Sequence, residues 1–133
     1  MDIGREYKYV AHAIVNITTE TSTFNRNTGL YNARILGNVS GDMDITRIAK
    51  IKITNSNGEC IIVTPSFTYD FPNSGEYILD YGVYECESLP DKMFAGMPSL
   101  LYLQVDDDVL RIGSQVLWNN KNLRGALFGN EYP

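Results

Sequence analysis

The sequence predicts an all-β protein, and three observations lead to that fold class. Apolar and polar residues alternate with a period of two along much of the chain, most clearly from Tyr7 to Ile17. Groups of turn-forming Gly, Pro, Asn, Asp and Ser recur at close spacing. Almost no stretch shows the 3.6-residue period of a helix. We therefore expect one domain over residues 1–133, an antiparallel β-sandwich or barrel, with a jelly roll among the candidate topologies.

The first predicted strand is the longest. Its odd positions from Tyr7 to Ile17 are all apolar and its even positions are mixed, so one face should be buried and the other partly covered. Residues 19–29 follow as a polar loop rich in Thr and Asn, in which Phe24 is the only bulky apolar residue. Further strands are predicted at residues 30–36 and 43–54.

The best hairpin pattern lies in the middle of the chain, at residues 55–58. This Asn-Ser-Asn-Gly tract favours a tight turn because Asn and Gly accept positive φ. A second hairpin is predicted with Asp106, Asp107 and Asp108 at its tip. Including these, the sequence predicts eight or nine strands, and the later ones fall at residues 59–64, 66–71, 76–87, 100–105, 109–112 and 115–118.

Two segments of the second half depart from strand patterning. Residues 90–97, between Ser88 and Pro98, are typical of one short helix at most. Residues 119–133 are rich in Asn and Gly with isolated apolar residues, which predicts a loosely structured C-terminal arm. Gly82, inside the predicted strand 76–87, is expected to mark a bulge.

The composition excludes several classes of function. The chain has 133 residues and a net charge of −5, with 11 Lys and Arg against 16 Asp and Glu. This balance disfavours nucleic acid as a partner, because affinity for phosphates comes largely from basic side chains. No apolar run approaches the length of a membrane-spanning helix, and the first residues do not resemble a signal peptide. We expect a cytoplasmic or virion-associated protein with no membrane partner.

Charge is unevenly distributed along the chain. Residues 1–54 carry a net charge of +2, residues 55–108 carry −9, and residues 109–133 carry +2. One interpretation is that unlike patches pair between copies of the chain or with a basic partner. The alternative is that consecutive strands of the central segment share one acidic, solvated face.

The common catalytic and cofactor motifs are absent from the sequence. His12 is the single histidine, and its position between Val10 and Ile14 is typical of a packed or edge strand residue. No glycine-rich phosphate-binding motif occurs, and no cofactor is expected. Cys60 and Cys86 lack the spacing of a zinc site and are interpreted as small buried thiols of a reducing compartment, with a disulfide between them left open.

Two sets of residues remain as candidates for a site. Asp106, Asp107 and Asp108 are candidates for a cation such as calcium, against the alternative of a solvated turn. Aromatic residues in strands, loops and the tail are candidates for binding a ligand or partner, against the alternative of half-buried sheet residues. The aromatic candidates are Trp118, Tyr77, Tyr81, Phe24 and Tyr132.

These features leave three hypotheses for the function. The first is a non-catalytic interaction or assembly subunit that forms homo-oligomers, such as a tail, adaptor or capsid-associated component of a virus or phage particle. The second is a β module that binds a carbohydrate or another small molecule. The third and weakest is a divalent-metal-dependent enzyme that uses clustered carboxylates, so the balance favours a protein that is not an enzyme.

Overall fold

A computed structural model describes residues 5–37 and 43–129, and it confirms the all-β class. A single turn of 3-10 helix is present at Ile45–Arg47. The strands of the first half are β1 (Tyr7–Ile17), β2 (Thr23–Asn25), β3 (Leu30–Arg34), β4 (Ile48–Thr54) and β5 (Cys60–Val63). The strands of the second half are β6 (Thr68–Phe71), β7 (Gly75–Tyr84), β8 (Ser88–Leu89), β9 (Leu100–Val105), β10 (Arg111–Ile112) and β11 (Gly125–Phe128).

The strands form one large and two small sheets. The large sheet has six strands in the order β11-β9-β1-β7-β4-β5, so β11 and β5 are its two edges. A three-stranded sheet has the order β2-β3-β6, and β8 pairs with β10 in a two-stranded sheet. Most pairs are antiparallel as predicted, but β9 with β11 and β8 with β10 are parallel. The fold is therefore mainly antiparallel, with one parallel pair in the large sheet and one in the two-stranded sheet.

Strand β1 determines the register at the centre of the large sheet. It pairs with β7 on one side and β9 on the other, and His12 lies opposite both Asp80 and Gln104. Because side chains alternate between faces, the odd residues from Ala11 to Ile17 all point to one face, where they are buried. We call that side of the large sheet the inner face and the opposite side the outer face.

Gly82 lies beside two bulges rather than in one. The register shifts between Tyr9 and Ala11 in β1 and between Ile48 and Lys50 in β4, on either side of Gly82. A Cβ atom at Gly82 would come within 2.9 Å of the Tyr7 ring. The glycine thus allows an aromatic ring to lie directly on the backbone of β7.

The inner face joins the small sheets in one hydrophobic core. Buried side chains of the large sheet pack with Ala33 of β3, Phe71 of β6 and Phe94 in the segment before β9. The ring of Tyr81 meets that of Phe94 edge to face at 4.9 Å, and its hydroxyl donates a 2.7 Å hydrogen bond to the carbonyl of Ile35. Tyr81 thereby connects the middle of the large sheet to the chain that follows β3.

The predicted hairpin at residues 55–58 is confirmed between β4 and β5. The side-chain oxygen of Asn55 accepts hydrogen bonds from the backbone N–H groups of Asn57 and Glu59. Gly58 has a φ of +82°, a conformation that favours glycine. The turn places β5 antiparallel to β4, with Thr54 opposite Cys60.

The predicted hairpin with the three aspartates at its tip was wrong. Strand β9 pairs with β1 and β11, whereas β10 leaves the large sheet and pairs with β8. Residues 115–118 form turns instead of a strand, and residues 90–97 form turns instead of a helix. Backbone hydrogen bonds join these two segments, and one of them runs from the N–H of Phe94 to the carbonyl of Val116. These bonds satisfy the backbone groups that would otherwise be paired within a helix or a sheet.

Two other segments are more ordered than predicted. The polar segment 19–29 contains β2, which pairs antiparallel with β3 and remains exposed. In the expected C-terminal arm, β11 extends the large sheet alongside β9. The side chain of Asn120 anchors the start of the arm, because its amide bonds the backbone of Met97, Phe94 and Leu117. A segment with only isolated apolar residues can form a strand here, because the large sheet already provides β9 as its pairing partner.

The two buried tyrosines of β7 allow a matched test of the core. We expect Tyr81→Phe to lower the free energy of unfolding by about 1–3 kcal/mol, because the buried carbonyl of Ile35 loses its hydroxyl donor. Tyr77→Phe should lower it by less than about 1 kcal/mol, because its acceptor, the carbonyl of Asn73, belongs to an exposed residue that water can reach. Urea unfolding of both variants measures the difference, and equal losses would contradict this assignment.

Candidate functional site

The outer face of the large sheet carries the candidate site. Cross-strand pairs align its side chains in two neighbouring rows across the sheet. One row runs from Leu127 through Gln104, His12, Asp80 and Lys52 to Ile62. The other runs from Gly125 through Tyr102, Ile14, Ile78 and Thr54 to Cys60. The first row is largely polar and the second largely apolar, so the face is amphipathic.

His12 is the centre of the polar row. Its Nδ1 atom lies 2.7 Å from a carboxylate oxygen of Asp80, and its Nε2 atom lies 3.2 Å from one of Asp106. Lys52 lies opposite Asp80 on β4, and its Nζ atom is 3.9 Å from the second carboxylate oxygen. Asp80 is the less exposed of the two carboxylates, and it contacts both His12 and Lys52.

This arrangement suits a structural charge network better than catalysis. A catalytic histidine needs one ring nitrogen free to exchange a proton with a nucleophile or substrate. Both ring nitrogens of His12 already face carboxylate oxygens. A neutral ring can donate to one of them, and a doubly protonated ring can donate to both. The cluster therefore links β1, β7 and the residue after β9.

Part of the uneven charge along the sequence is compensated within one chain. Residues of the basic first segment pair with residues of the acidic central segment. The pairs are Lys8 with Asp108, His12 with Asp80 and Asp106, Arg47 with Glu85, and Lys52 with Asp80. Pairs of this kind form within one chain because strands β1 and β4 lie on either side of β7.

An apolar groove of about 750 Å³ lies where the two rows meet β11. Ile14, Ile78, Tyr102 and Leu127 contribute to its walls, and Arg124 lies at its border. Ile78 and Tyr102 are 46% and 44% exposed although they occupy central strands of the sheet. The Tyr102 ring lies beside Gly125, where a Cβ atom would be 3.5 Å away.

The edge strand β5 is the most exposed apolar element of the sheet. Ile61 and Ile62 point to opposite faces, and they are 53% and 55% exposed. β5 pairs with β4 alone in the part of the chain that the structure describes. Its second edge therefore offers backbone N–H and C=O groups flanked by two large aliphatic side chains.

The structure separates the aromatic residues that the sequence singled out. Tyr77 and Tyr81 are buried on the inner face, so the prediction that they contact a ligand was wrong. Trp118 is 50% exposed within the turns 114–119, and Phe24 is exposed on β2, where its ring packs on Tyr31 at 4.7 Å. Tyr132 lies outside the described residues. The aromatic candidates thus do not form one platform.

The three aspartates do not converge on a cation site. Asp106 faces His12 and Asp108 contacts Lys8, at 3.4 Å from its Nζ atom. Within residues 5–37 and 43–129 no group of three or more His, Cys, Asp or Glu is placed to hold a metal ion. Cys60 and Cys86 are free thiols rather than a disulfide, and the prediction that both are buried was wrong, since Cys60 is exposed on the edge strand β5 and Cys86 is only partly buried.

Sequence reasoning missed Lys52, Ile61 and Ile62, and it did not place Asp80 beside His12. Their positions in alternating strands placed them on faces, but only cross-strand register brings Asp80 and Lys52 to His12. The exposure of the two isoleucines depends on β5 being an edge, which a local pattern cannot reveal.

Comparisons with models of protein families, with curated proteins and with solved structures found no match. No helix among the described residues is long and apolar enough to cross a membrane.

The outer charge network predicts unequal effects of two isosteric substitutions. Asp80→Asn should lower the free energy of unfolding by about 1–3 kcal/mol, because Asp80 is partly buried and hydrogen-bonded to His12. Asp106→Asn should lower it by less than about 1 kcal/mol, because its contact is longer and more exposed. Chemical denaturation at neutral pH tests the order, and a larger effect at Asp106 would contradict it.

The buried phenol of Tyr81 predicts a loss of stability in alkali. Burial raises the pKa of Tyr81 above its ordinary value of 10.0. The unfolded chain therefore releases this proton at a pH where the folded chain retains it, and stability falls as pH rises above about 10. Tyr81→Phe should reduce that slope by up to about 1.4 kcal/mol per pH unit. Unfolding measured between about pH 9 and 11 tests this, and equal slopes would contradict it.

Proposed function

We propose that this chain is a non-catalytic assembly subunit that forms homo-oligomers, as components of virus and phage particles do. The observation that carries the proposal is the apolar second edge of β5. Natural proteins usually protect such edges with charged residues, proline or bulges, because an open edge can pair with another chain. Cys60–Val63 contains none of these, and Pro65 follows only after the strand has ended.

The chemistry of β5 favours a second copy as its partner. The residues from Cys60 to Thr64 are all uncharged. Antiparallel pairing of two β5 strands about Ile62 would place only uncharged residues opposite one another over this segment, and pairing about Ile61 would place Glu59 opposite the uncharged Val63. Glu59 would not face Glu59 of the other copy in either register. A twofold axis would then use the same surface on both subunits, as in most homodimers.

The two isoleucines provide contacts on both sides of this joined sheet. Ile61 projects on the side of the inner face and Ile62 on that of the outer face. Pairing would bury both side chains and satisfy the open backbone groups of β5 at the same time. The outer face would continue across the junction, because Ile62 ends the row that contains Lys52, Asp80 and His12.

The role of His12 supports a subunit without catalytic function. The single histidine holds strands together through two carboxylates, as described above. Asp106 contacts His12 and Asp108 contacts Lys8, so the three aspartates do not converge on one point.

Solution mass tests the assembly proposal. We expect the protein to dimerise or form a larger oligomer in reducing buffer, which prevents exposed Cys60 from forming covalent dimers. Ile62→Lys should weaken self-association roughly 100-fold, about 2.8 kcal/mol, because two lysines would approach across the paired edges. Sedimentation velocity over a concentration series provides the dissociation constants.

Ile78→Lys is the matched control. It replaces an isoleucine of similar exposure on the outer face by the same residue, but in the central strand β7. Self-association of this variant should equal that of the unmodified protein. A monomer at every concentration would contradict the assembly proposal, whereas an oligomer sensitive to Ile78→Lys and not to Ile62→Lys would contradict the role of β5.

A further inference from the structure

The apolar groove on the outer face is formed by four neighbouring strands of the large sheet. Leu127 of β11, Tyr102 of β9, Ile14 of β1 and Ile78 of β7 contribute its apolar walls. The lining does not include any residue of β5. The groove is therefore separate from the edge that the assembly proposal uses.

The groove leaves large apolar side chains open to solvent on interior strands of the sheet. On the inner face, large side chains of β7 and β9 such as Tyr81 and Leu103 are almost completely buried. On the outer face, Ile78 and Tyr102 of the same strands remain nearly half exposed. Apolar surface gains free energy when it is removed from water, and exposed apolar patches mark sites where ligands or partners bind.

The shape of the groove suits an elongated molecule. Neighbouring strands are about 4.8 Å apart, so the path from β11 across β9 and β1 to β7 is roughly 14 Å long. The groove volume of about 750 Å³ lies within the range of roughly 300–1,000 Å³ that is typical of small-molecule sites. Gly125 lies opposite Tyr102 and has no side chain, so the groove stays open beside the ring. A molecule that lies across the strands can contact Tyr102, Ile14 and Ile78 in turn.

The charges around the groove differ between its two borders. Arg124, directly before β11, is the single Lys, Arg, Asp or Glu among the described residues that line the groove. Asp80 and Asp106 lie on the other side, around His12. A carboxylate is attracted by Arg124 and repelled by the two aspartates. An anionic end is therefore favoured at the β11 border, with an apolar body over the centre of the groove.

We propose that the groove binds an amphiphilic monocarboxylate with an elongated aliphatic body. The carboxylate pairs with the guanidinium of Arg124, whose planar donors match a carboxylate in a two-bond arrangement. The aliphatic body covers Tyr102, Ile14 and Ile78, and this burial supplies the hydrophobic part of the affinity. β5 takes no part in the site, so the site does not depend on the assembly proposal.

Amide chemical shifts of the full chain test the site. The probe is sodium decanoate, with decyltrimethylammonium bromide as its cationic counterpart and sodium acetate as the head group alone, each below its micelle concentration at matched ionic strength. Decanoate should shift amide signals of the groove residues with saturation, and decyltrimethylammonium should bind at least about tenfold more weakly. The net charge of −5 favours the cationic probe over the protein as a whole, so a preference for decanoate arises locally.

Three outcomes of this titration would contradict the proposal. No saturable response of the groove residues to decanoate would overturn the site. Equal or tighter binding of decyltrimethylammonium would overturn the anionic class of the ligand. Binding of acetate as tight as that of decanoate would overturn the role of the apolar walls.

A charge substitution localises the carboxylate. Arg124→Gln should weaken decanoate roughly tenfold and leave decyltrimethylammonium no weaker, because the substitution removes a positive charge. Lys121→Gln removes the same charge from a nearby residue outside the lining, and it should leave decanoate binding unchanged. Equal weakening by both substitutions would show a general charge effect and overturn the role of Arg124.

An apolar substitution localises the aliphatic body. Ile78→Asn should weaken decanoate roughly tenfold, because it removes apolar contact area from the groove. Leu110→Asn is the matched control, since Leu110 is an exposed aliphatic residue outside the lining. Urea unfolding of both variants verifies that the fold is retained. Equal weakening by Ile78→Asn and Leu110→Asn would show non-specific adsorption and overturn the site.

Discussion

The register of β1 between β7 and β9 is the constraint on which the rest of the structure depends. A shift of one residue would move the buried odd positions of β1 to the outer face and bring His12 into the core. In the observed register, His12 lies opposite Asp80 on β7 and contacts it. On its other side, His12 approaches Asp106, the residue that follows β9. The polar cluster therefore stabilises the same register that the hydrophobic inner face requires.

The inner face of the large sheet forms the hydrophobic core, whereas the outer face carries a network of charged side chains. The inner face is buried under the small sheets and the turns of the second half, with Tyr81 connected to the backbone at Ile35. The outer face remains accessible, and its acidic and basic side chains compensate one another across strands. The large apolar side chains that the sheet leaves exposed are Ile61, Ile62, Ile78 and Tyr102. Surfaces of this kind are where partners and ligands bind.

The proposed assembly uses one end of the large sheet. β5 offers a backbone edge with aliphatic side chains, which suits another strand. The strands β9, β1, β7 and β4 lie between β5 and the opposite edge, β11, so pairing at β5 does not involve β11.

Local patterns in the sequence were sufficient to predict the all-β class, the long first strand and the Asn55–Gly58 turn. Each depends on interactions between residues near in sequence, namely a period of two or the positive φ of a glycine. The tertiary structure alone decided the rest. The pairing of β11 with β9, the exposure of Ile62, the burial of Tyr81 and the meeting of His12 with Asp80 all depend on which strands are neighbours. Alternation assigns a side chain to a face, but it carries no information about which strand lies beside it or whether that face is covered.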